Sequence, residues 1–404
     1  MAQQTAIPVY QRGNGTETFY VPAFAIVIQG RNLSNDIVRD VMQVTYHDSI
    51  NDIDSFEITI NNWDAATRKF KYVGLDDGDL NPNYRNIFDP GQELEVRMGY
   101  QQPLADDGTQ PQLKLMMTGQ ITTLEPDFPN GSSPTLQIRG LNILHRFRKK
   151  QHTWSWEGKR DSDIAKELGQ NPVSEDKPGL GIEVRVNPHK DDDEEQEPII
   201  FMNSQYDIVF LLERAQRHGY NLCLKQEIKN DKPHQFLYFG PSDQDTLITY
   251  KLEWGKSLIQ FHPTLTTANQ VSKVTVRGWN RSTKEPIVKT AEWGEPGIKI
   301  NLDQKSLLRD MAERHEVTVE RPVHTNKQAK ALAKDLLLNH LKEMIKASGS
   351  TVGLPDLRAG RTVQIGGLGS RFNGIYFITD TTHTIGTDGY RTGFNARREN
   401  ELQQ

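Results

Sequence analysis

Eleven histidines, a single cysteine and one dense run of carboxylates are the residues from which chemistry would have to be built. None of the histidines pairs with another at a spacing that suits zinc, which needs several N or S donors on one ion. His315 and His324 flank Val317–Glu320, nine residues apart on a strand-like segment, and read as surface groups. The run Asp191-Asp192-Asp193-Glu194-Glu195-Gln196-Glu197 repels itself and marks a solvated loop. It lacks the central glycine and the alternation of an EF-hand loop, so calcium is the weaker reading. Gly366-Gly367-Leu368-Gly369 is glycine-rich, yet it joins two strand-like segments and opens no helix. A hairpin turn fits it better than a phosphate cradle.

No G-x-S-x-G elbow, Walker loop or H-E-x-x-H stretch occurs in the chain. Trp154, Trp156, Trp254, Trp279 and Trp293 could stack on sugars or bases. Anchoring in a core or an interface is the commoner use of such rings. Cys223 has no partner for an internal disulfide, and the alternation around it suggests a buried filler. The sequence therefore predicts no catalytic residue, no metal and no cofactor. The formal charge of −5 argues against a general nucleic-acid binder. The local basic stretch His145, Arg146, Arg148, Lys149 and Lys150 reads as a solvated or interface edge.

The elements that hold these residues are mostly strands. With 404 residues, two or three domains are expected, and a hydrophobic fraction of only 35% favours short strands with polar loops over one large helical core. Residues 1–19 read as a polar arm. Val41–Tyr46 and Ser55–Ile60 alternate at period two, as do Leu94, Val96 and Met98 after Pro90-Gly91. Leu113–Leu124 and Thr135–Arg139 continue the pattern. Composition shifts near Lys150. Ser162–Leu168 and Ser204–His218 read as helices, the second with Ser204 as cap and Gly219 as stop. Strand patterns return at Leu258–Phe261 and Val271–Arg277. A long amphipathic helix over 326–347, capped by Thr325, follows, with Leu332, Leu336 and Leu341 on its packing face. Strands Thr362–Ile365, Gly374–Thr379 and Arg391–Ala396 close the chain.

The expected fold is mainly β with α+β elements: two related tube-like β-barrels, 1–150 and 251–404, around a small mixed α/β domain, 151–250, that carries the acidic loop 190–198. The relation between the two β regions comes from an internal repeat. Val41–Thr45 resembles Val271–Thr275. Pro90-Gly91 before Leu94–Val96 resembles Ala359-Gly360 before Val363–Ile365. Gly119 resembles Gly374, each before a strand, and Gly131 and Gly389 each precede a last strand. Pro90, Gly91, Gly119, Gly360, Gly374 and Gly389 are accordingly read as turn positions.

The chain also resembles the phage late control gene D family, the baseplate hubs of contractile tails and the N-terminal part of VgrG-type spike proteins. The resemblance lies in Asn203–Asp207 through Gly219-Tyr220, in Leu265–Trp279, in Gly353–Gly360 through Gly374–Tyr376, and in His383, Gly389–Thr392 and Arg397. It spans about residues 20–400 without a single diagnostic motif. It implies a non-enzymatic baseplate hub, a homotrimer whose two barrels per chain form a pseudo-sixfold ring between the hexameric inner tube and a threefold spike. The partners so implied are further copies of itself, the tube protein, a separate spike polypeptide and other baseplate components. The N-terminus Met1–Thr5 shows no secretion signal and no run approaches about 18 apolar residues. Synthesis in a cytoplasm, no membrane insertion and work within an assembled particle are therefore expected. A peptidoglycan-cleaving tail enzyme and a carbohydrate-binding module are the alternatives.

Overall fold

The computed structural model describes residues 21–50, 52–73, 86–101, 113–148, 150–187, 196–218, 220–229, 232–241, 248–268, 270–280, 283–295, 315–318, 323 and 325–398. The N-terminal arm, most of the acidic run, Gly219 and His324 lie outside them.

The period-two segments become strands, and most of them join one open 13-stranded sheet. In the first half the strand order is Val41–Ser49, Ser55–Asn61, Thr135–Asn142, Lys114–Asp127, Glu93–Tyr100 and Pro22–Ile28. In the second half it is Leu258–Leu265, Ile345–Val352, Gly389–Arg398, Gly374–Gly386, Thr362–Gly366 and Ile248–Glu253. Both halves take their six strands in the same order along the chain, so the duplication is a fact of topology. The sixth strand alone differs in sense: Pro22–Ile28 pairs antiparallel and Ile248–Glu253 parallel. Among the described residues no ring of paired strands closes into a barrel within either half.

Each copy opens the same way. Gly91 and Gly360 have φ of +97° and +76°, which an L side chain avoids. Gly91 N–H donates to Ile121 O and Ile121 N–H returns a bond to Gln92 O. Gly360 N–H donates to Ile378 O and Ile378 N–H returns a bond to Arg361 O. Directly after those isoleucines both ladders shift register, at Thr122 and at Thr379. A β-bulge at one site in both copies bends both sheets alike.

This register corrects two of the sequence matches. The counterpart of Val41–Ser49 is Leu258–Leu265, whereas Lys273–Asn280 belongs to a separate sheet with Glu285–Glu292 and His315–Thr318. Short V-x-x-V strings cannot tell one strand from another. Gly119 pairs with Leu94, and the equivalent rung of the second copy joins Val363 to Tyr376, two residues past Gly374.

The long helix runs Asn326–Lys342 and not to 347. Thr325 caps it, accepting from Gln328 N–H at 3.1 Å. Met344 and Ile345 extend the helical spacing, but the segment from Ile345 is hydrogen-bonded on both sides, to Leu258–Leu265 and Gly389–Arg398. Two ladders outweigh one more turn of helix. The helix packs on the separate sheet, against Lys273–Asn280 and Glu285–Glu292. Leu332 and Leu341 are buried as expected, Leu336 only partly, and Leu337 is fully buried.

The middle region has its own apolar cluster, built around Trp156, Ile164, Leu168, Leu211 and Phe239. Its second helix spans Asp207–Arg217, and Ser204 is not its cap but a strand residue at φ +48°. Asp207 instead fixes the helix start, accepting from Gly179 N–H at 3.0 Å and lying 2.8 Å from His152 Nδ1.

Leu337→Ala should cost about 2–5 kcal/mol, as truncations of buried leucine do, and Leu336→Ala clearly less. Urea unfolding measures both. Equal losses would show that the helix sits on its sheet in another rotation.

Candidate functional site

The place where the two copies meet is the most heavily built polar site of the described residues. The outer half of the second copy's strand, Asp380–Ile385, pairs antiparallel with Val44–Ser49 of the first. Eight strands thereby form one surface, from Leu258–Leu265 at one edge to Lys114–Asp127 at the other.

Pairing alternates the side chains between two faces. On the core face, Val44, Ile58, Ile138 and Leu124 lie opposite one another in turn. On the other face the corresponding row is Thr45, Glu57, Arg139 and Thr123. The second copy repeats it as His262, Ser348, Asn395 and Asp380. Opposite charges are interleaved there. Arg139 reaches Glu57 at 2.9 Å and Glu125 at 3.1 Å, and Asn395 donates to Asp380 at 2.6 Å. A shallow cavity of about 390 Å³ on this face is lined by His262, Lys346, Asp380 and Arg397 among others. Both apolar cores lie on the opposite side.

Under the seam, charges are buried. The Asp48 carboxylate accepts from Arg358 Nε at 2.8 Å, from Ala359 N–H at 3.2 Å and from the Thr381 hydroxyl. Arg358 also donates to Met116 O at 2.8 Å and to the Tyr46 hydroxyl, and its guanidinium lies 4.6 Å from the Tyr46 ring centre. Tyr46 in turn donates to Asp54, which also accepts from Asn142 Nδ2 at 2.8 Å. One arginine of the second copy thus touches two strands of the first, Val41–Ser49 and Lys114–Asp127. Beside it, His383 Nε2 lies 3.0 Å from Leu357 O, which can only accept, so this nitrogen carries the hydrogen. Its Nδ1 accepts from the hydroxyls of Tyr390 and Thr392.

Burial sets the titration of the cluster. It would raise the Asp48 carboxyl, but the Arg358 charge and the hydrogen bonds outweigh it and hold Asp48 below its usual range. Asp54 is pushed up to about 7, first by burial and then by the charge of Asp48. Burial brings His383 down to about 4, leaving the ring neutral. Such a cluster can clamp two strands. Nothing in it is open to a substrate, and among the described residues no group of three or more His, Cys, Asp and Glu could hold a metal.

The residues singled out from the sequence fall elsewhere. Pro90-Gly91 and Gly360 form the paired turns, and Gly389 sits in the last hairpin at φ +87°. Gly119 is inside a strand, where a Cβ would stand 2.3 Å from Leu141 O, so close approach and not a turn requires it. Gly374 starts a strand against the Arg398 guanidinium. Leu332, Leu336 and Leu341 are distant core positions. Sequence reasoning missed Asp48, Asp54 and Arg358; Arg358 and His383 stood in the segments that carry the family resemblance, yet nothing in sequence aims a side chain.

The fold is shared with the 43 kDa tail protein of prophage MuSo2 from Shewanella oneidensis, at 14% identity and a TM-score of 0.62, covering 93% of this chain and 98% of that one. It is shared with a tail protein from Neisseria meningitidis, at 15% identity and 0.62, covering 94% and 97%. A type VI secretion component of E. coli, c3393, matches at 11% identity and 0.53, covering 93% and 77%. Among curated proteins none matches the sequence. Residues 19–387 match the family described as the Alg8 N-terminal domain, and the chain belongs to that family.

Two variants test the seam. Asp48→Ala leaves the half-buried Arg358 without its anionic partner, and about 3 kcal/mol of stability should be lost; a loss below about 1 kcal/mol in urea unfolding would remove the clamp from the account. Folding raises Asp54 from 3.8 to about 7, so the stability it contributes is present at low pH and lost as pH rises through that window. His383 works in the opposite sense, because its fall from 6.5 to about 4 makes its contribution disappear as pH drops. Asp54→Asn removes only the first effect. Its melting temperature relative to wild type should climb between pH 5 and pH 8, and a constant difference would mean that Asp54 is already ionised at pH 5.

Proposed function

We propose that the chain is a structural hub of a contractile injection machine or phage tail. In this reading three copies form a ring that joins a hexameric inner tube to a threefold spike. The observation that carries it is the eight-stranded sheet: two copies of one strand order, fused edge to edge, with one face wholly given to cores and the other polar. Two similar modules in each of three chains offer six similar docking surfaces while keeping threefold symmetry. The fold shared with tail proteins and with a type VI secretion component supports the same reading, as does the resemblance to late control gene D hubs.

The division into two tube-like units, 1–150 and 251–404, around a mixed unit, 151–250, belongs to this proposal. The three main apolar clusters support it, since one draws on residues 144–239 with Ile53, and the others centre on the two sheet halves. The buried seam supports a role without catalysis, because its polar groups are consumed in holding the two halves together.

Three chains of 46.0 kDa give a ring of about 138 kDa. Light scattering on the chain, alone and with spike protein, should find that mass, and monomer under both conditions would contradict the ring. The enzyme alternative predicts turbidity loss of a cell-wall suspension, and the carbohydrate module predicts binding on a glycan array. Neither signal is expected from a hub.

A further inference from the structure

Three asparagines of the chain precede a glycine: Asn14, Asn130 and Asn373. Asn14 lies outside the described residues, and the fold treats the other two in opposite ways. Such a pair is open to intramolecular attack. The next backbone nitrogen can close a five-membered ring on the asparagine side-chain carbonyl, and glycine has no Cβ to hinder it.

Asn130 and Gly131 sit in the turn that joins Lys114–Asp127 to Thr135–Asn142, and both are exposed. Neither the Asn130 side chain nor the Gly131 N–H has a hydrogen-bond partner among the described residues. Gly131 stands at φ +91°, and a Cβ built on it would meet nothing within 4 Å. The turn itself keeps the reactive pair together. An L side chain avoids that φ, so the turn requires glycine at 131, and asparagine is a favoured turn residue before it. Both ends of the turn are tied down. The Phe128 ring lies edge-on to Phe70 at 5.2 Å, and Pro134 O accepts from Asn62 N–H at 2.9 Å. The tip between them has no such tie among the described residues.

Asn373 carries the same pair in a closed setting. Its Oδ1 accepts from Leu368 N–H at 2.8 Å, and its own N–H donates to Gly369 O at 3.0 Å. Gly374 pairs with Ile365 in the ladder. Ile378 N–H donates to Arg361 O on that side, so by alternation Gly374 N–H is directed at Ile365. A Cβ at 374 would stand 2.9 Å from Arg398 Nε. A nitrogen held in a sheet and a carbonyl held by another N–H do not meet until the strand opens.

We propose that Asn130 is a modification site, converted in the folded chain, without an enzyme, to a mixture of isoaspartate and aspartate. Solvent hydroxide takes the Gly131 amide proton, and the nitrogen bonds to Asn130 Cγ. The Cγ–Nδ2 bond breaks, and ammonia leaves with a proton from water, which restores the hydroxide. The product is a five-membered succinimide, which water opens. Cleavage between the ring nitrogen and Cγ gives aspartate. Cleavage between that nitrogen and the backbone carbonyl carbon gives isoaspartate, whose main chain runs through the former side chain. One water is consumed and one ammonia released, with no oxidation or reduction. Each converted chain adds one negative charge to a formal −5. The new carboxylate stands two residues from Phe128, whose ring is 57% exposed. An apolar point of the surface thus acquires a charged neighbour as the chain ages.

The test holds the full chain, folded and in urea, at pH 7 and at pH 9, digests it in acid, and separates and weighs the Asn130 and Asn373 peptides. In the folded chain the Asn130 peptide should gain the mass difference between a hydroxyl and an amino group and split into two products. It should do so at least about tenfold faster than the Asn373 peptide, which must wait for local opening of the sheet. Higher pH should speed the conversion, and urea should bring the two rates together. Asn130→Gln, which would need a six-membered ring, should leave that peptide unchanged in mass and the melting temperature that of the wild type. Equal rates for the two peptides in the folded chain, or a faster one at Asn373, would overturn the proposal. An Asn130 peptide that converts only in urea, or that yields aspartate alone by direct hydrolysis, would overturn it as well.

Discussion

The arrangement depends on one buried ion pair, Asp48 with Arg358. It spans the junction of two modules that also meet through a six-rung ladder, through Tyr100 against Gly353 and Tyr390, and through Ile385 packed in the first core. A ladder alone would leave the modules free to slip or part, since its backbone bonds are exchangeable with water at little net gain. A buried charge pair behaves differently. Replacing both members by apolar groups can be neutral, but separating them strands a charge in the interior. Arg358 is further tied to Tyr46 and Met116, so sliding the seam by one residue would break several bonds at once. Burial and the neighbouring Asp48 charge push Asp54 up to about 7, so below that pH it adds no second anion to the same space.

Much of this fold was legible in the sequence and the clamp was not. Strands announced themselves by alternation because one face of the sheet is buried and the other wet. Pro90-Gly91 and Ala359-Gly360 were legible as equivalents because a positive φ leaves a glycine signature. The extent of the repeat was partly misread, since Val41–Thr45 and Val271–Thr275 share a pattern that any half-buried strand can show. Leu258–Leu265, the true counterpart, has Pro263, His262 and Thr264 where the first copy has Tyr46, Thr45 and His47, and no string match would join them. The end of the long helix was misplaced because helical spacing and strand alternation overlap at Met344-Ile345, and only the neighbouring strands decide between them.

The difference between the copies is itself informative. Where the first copy meets the second, the contact carries Asp48, Thr381, Tyr46 and His383; at the outer edges the same positions hold Leu265, Leu124, Pro263 and Pro126. A permanent intrachain joint tolerates buried polar groups because they are assembled once, during folding. An exposed edge is better served by prolines, which offer no donor to a stray strand.

A reconstruction of the assembled particle by electron microscopy tests the central claim most directly. The account predicts three copies around the axis between tube and spike, each with its two sheet halves joined along Val44–Ser49 and Asp380–Ile385 and with the Asp48–Arg358 pair beneath that ladder. A density in which the two halves of a chain are parted at that ladder, or in which the chain lies off the axis, would contradict it.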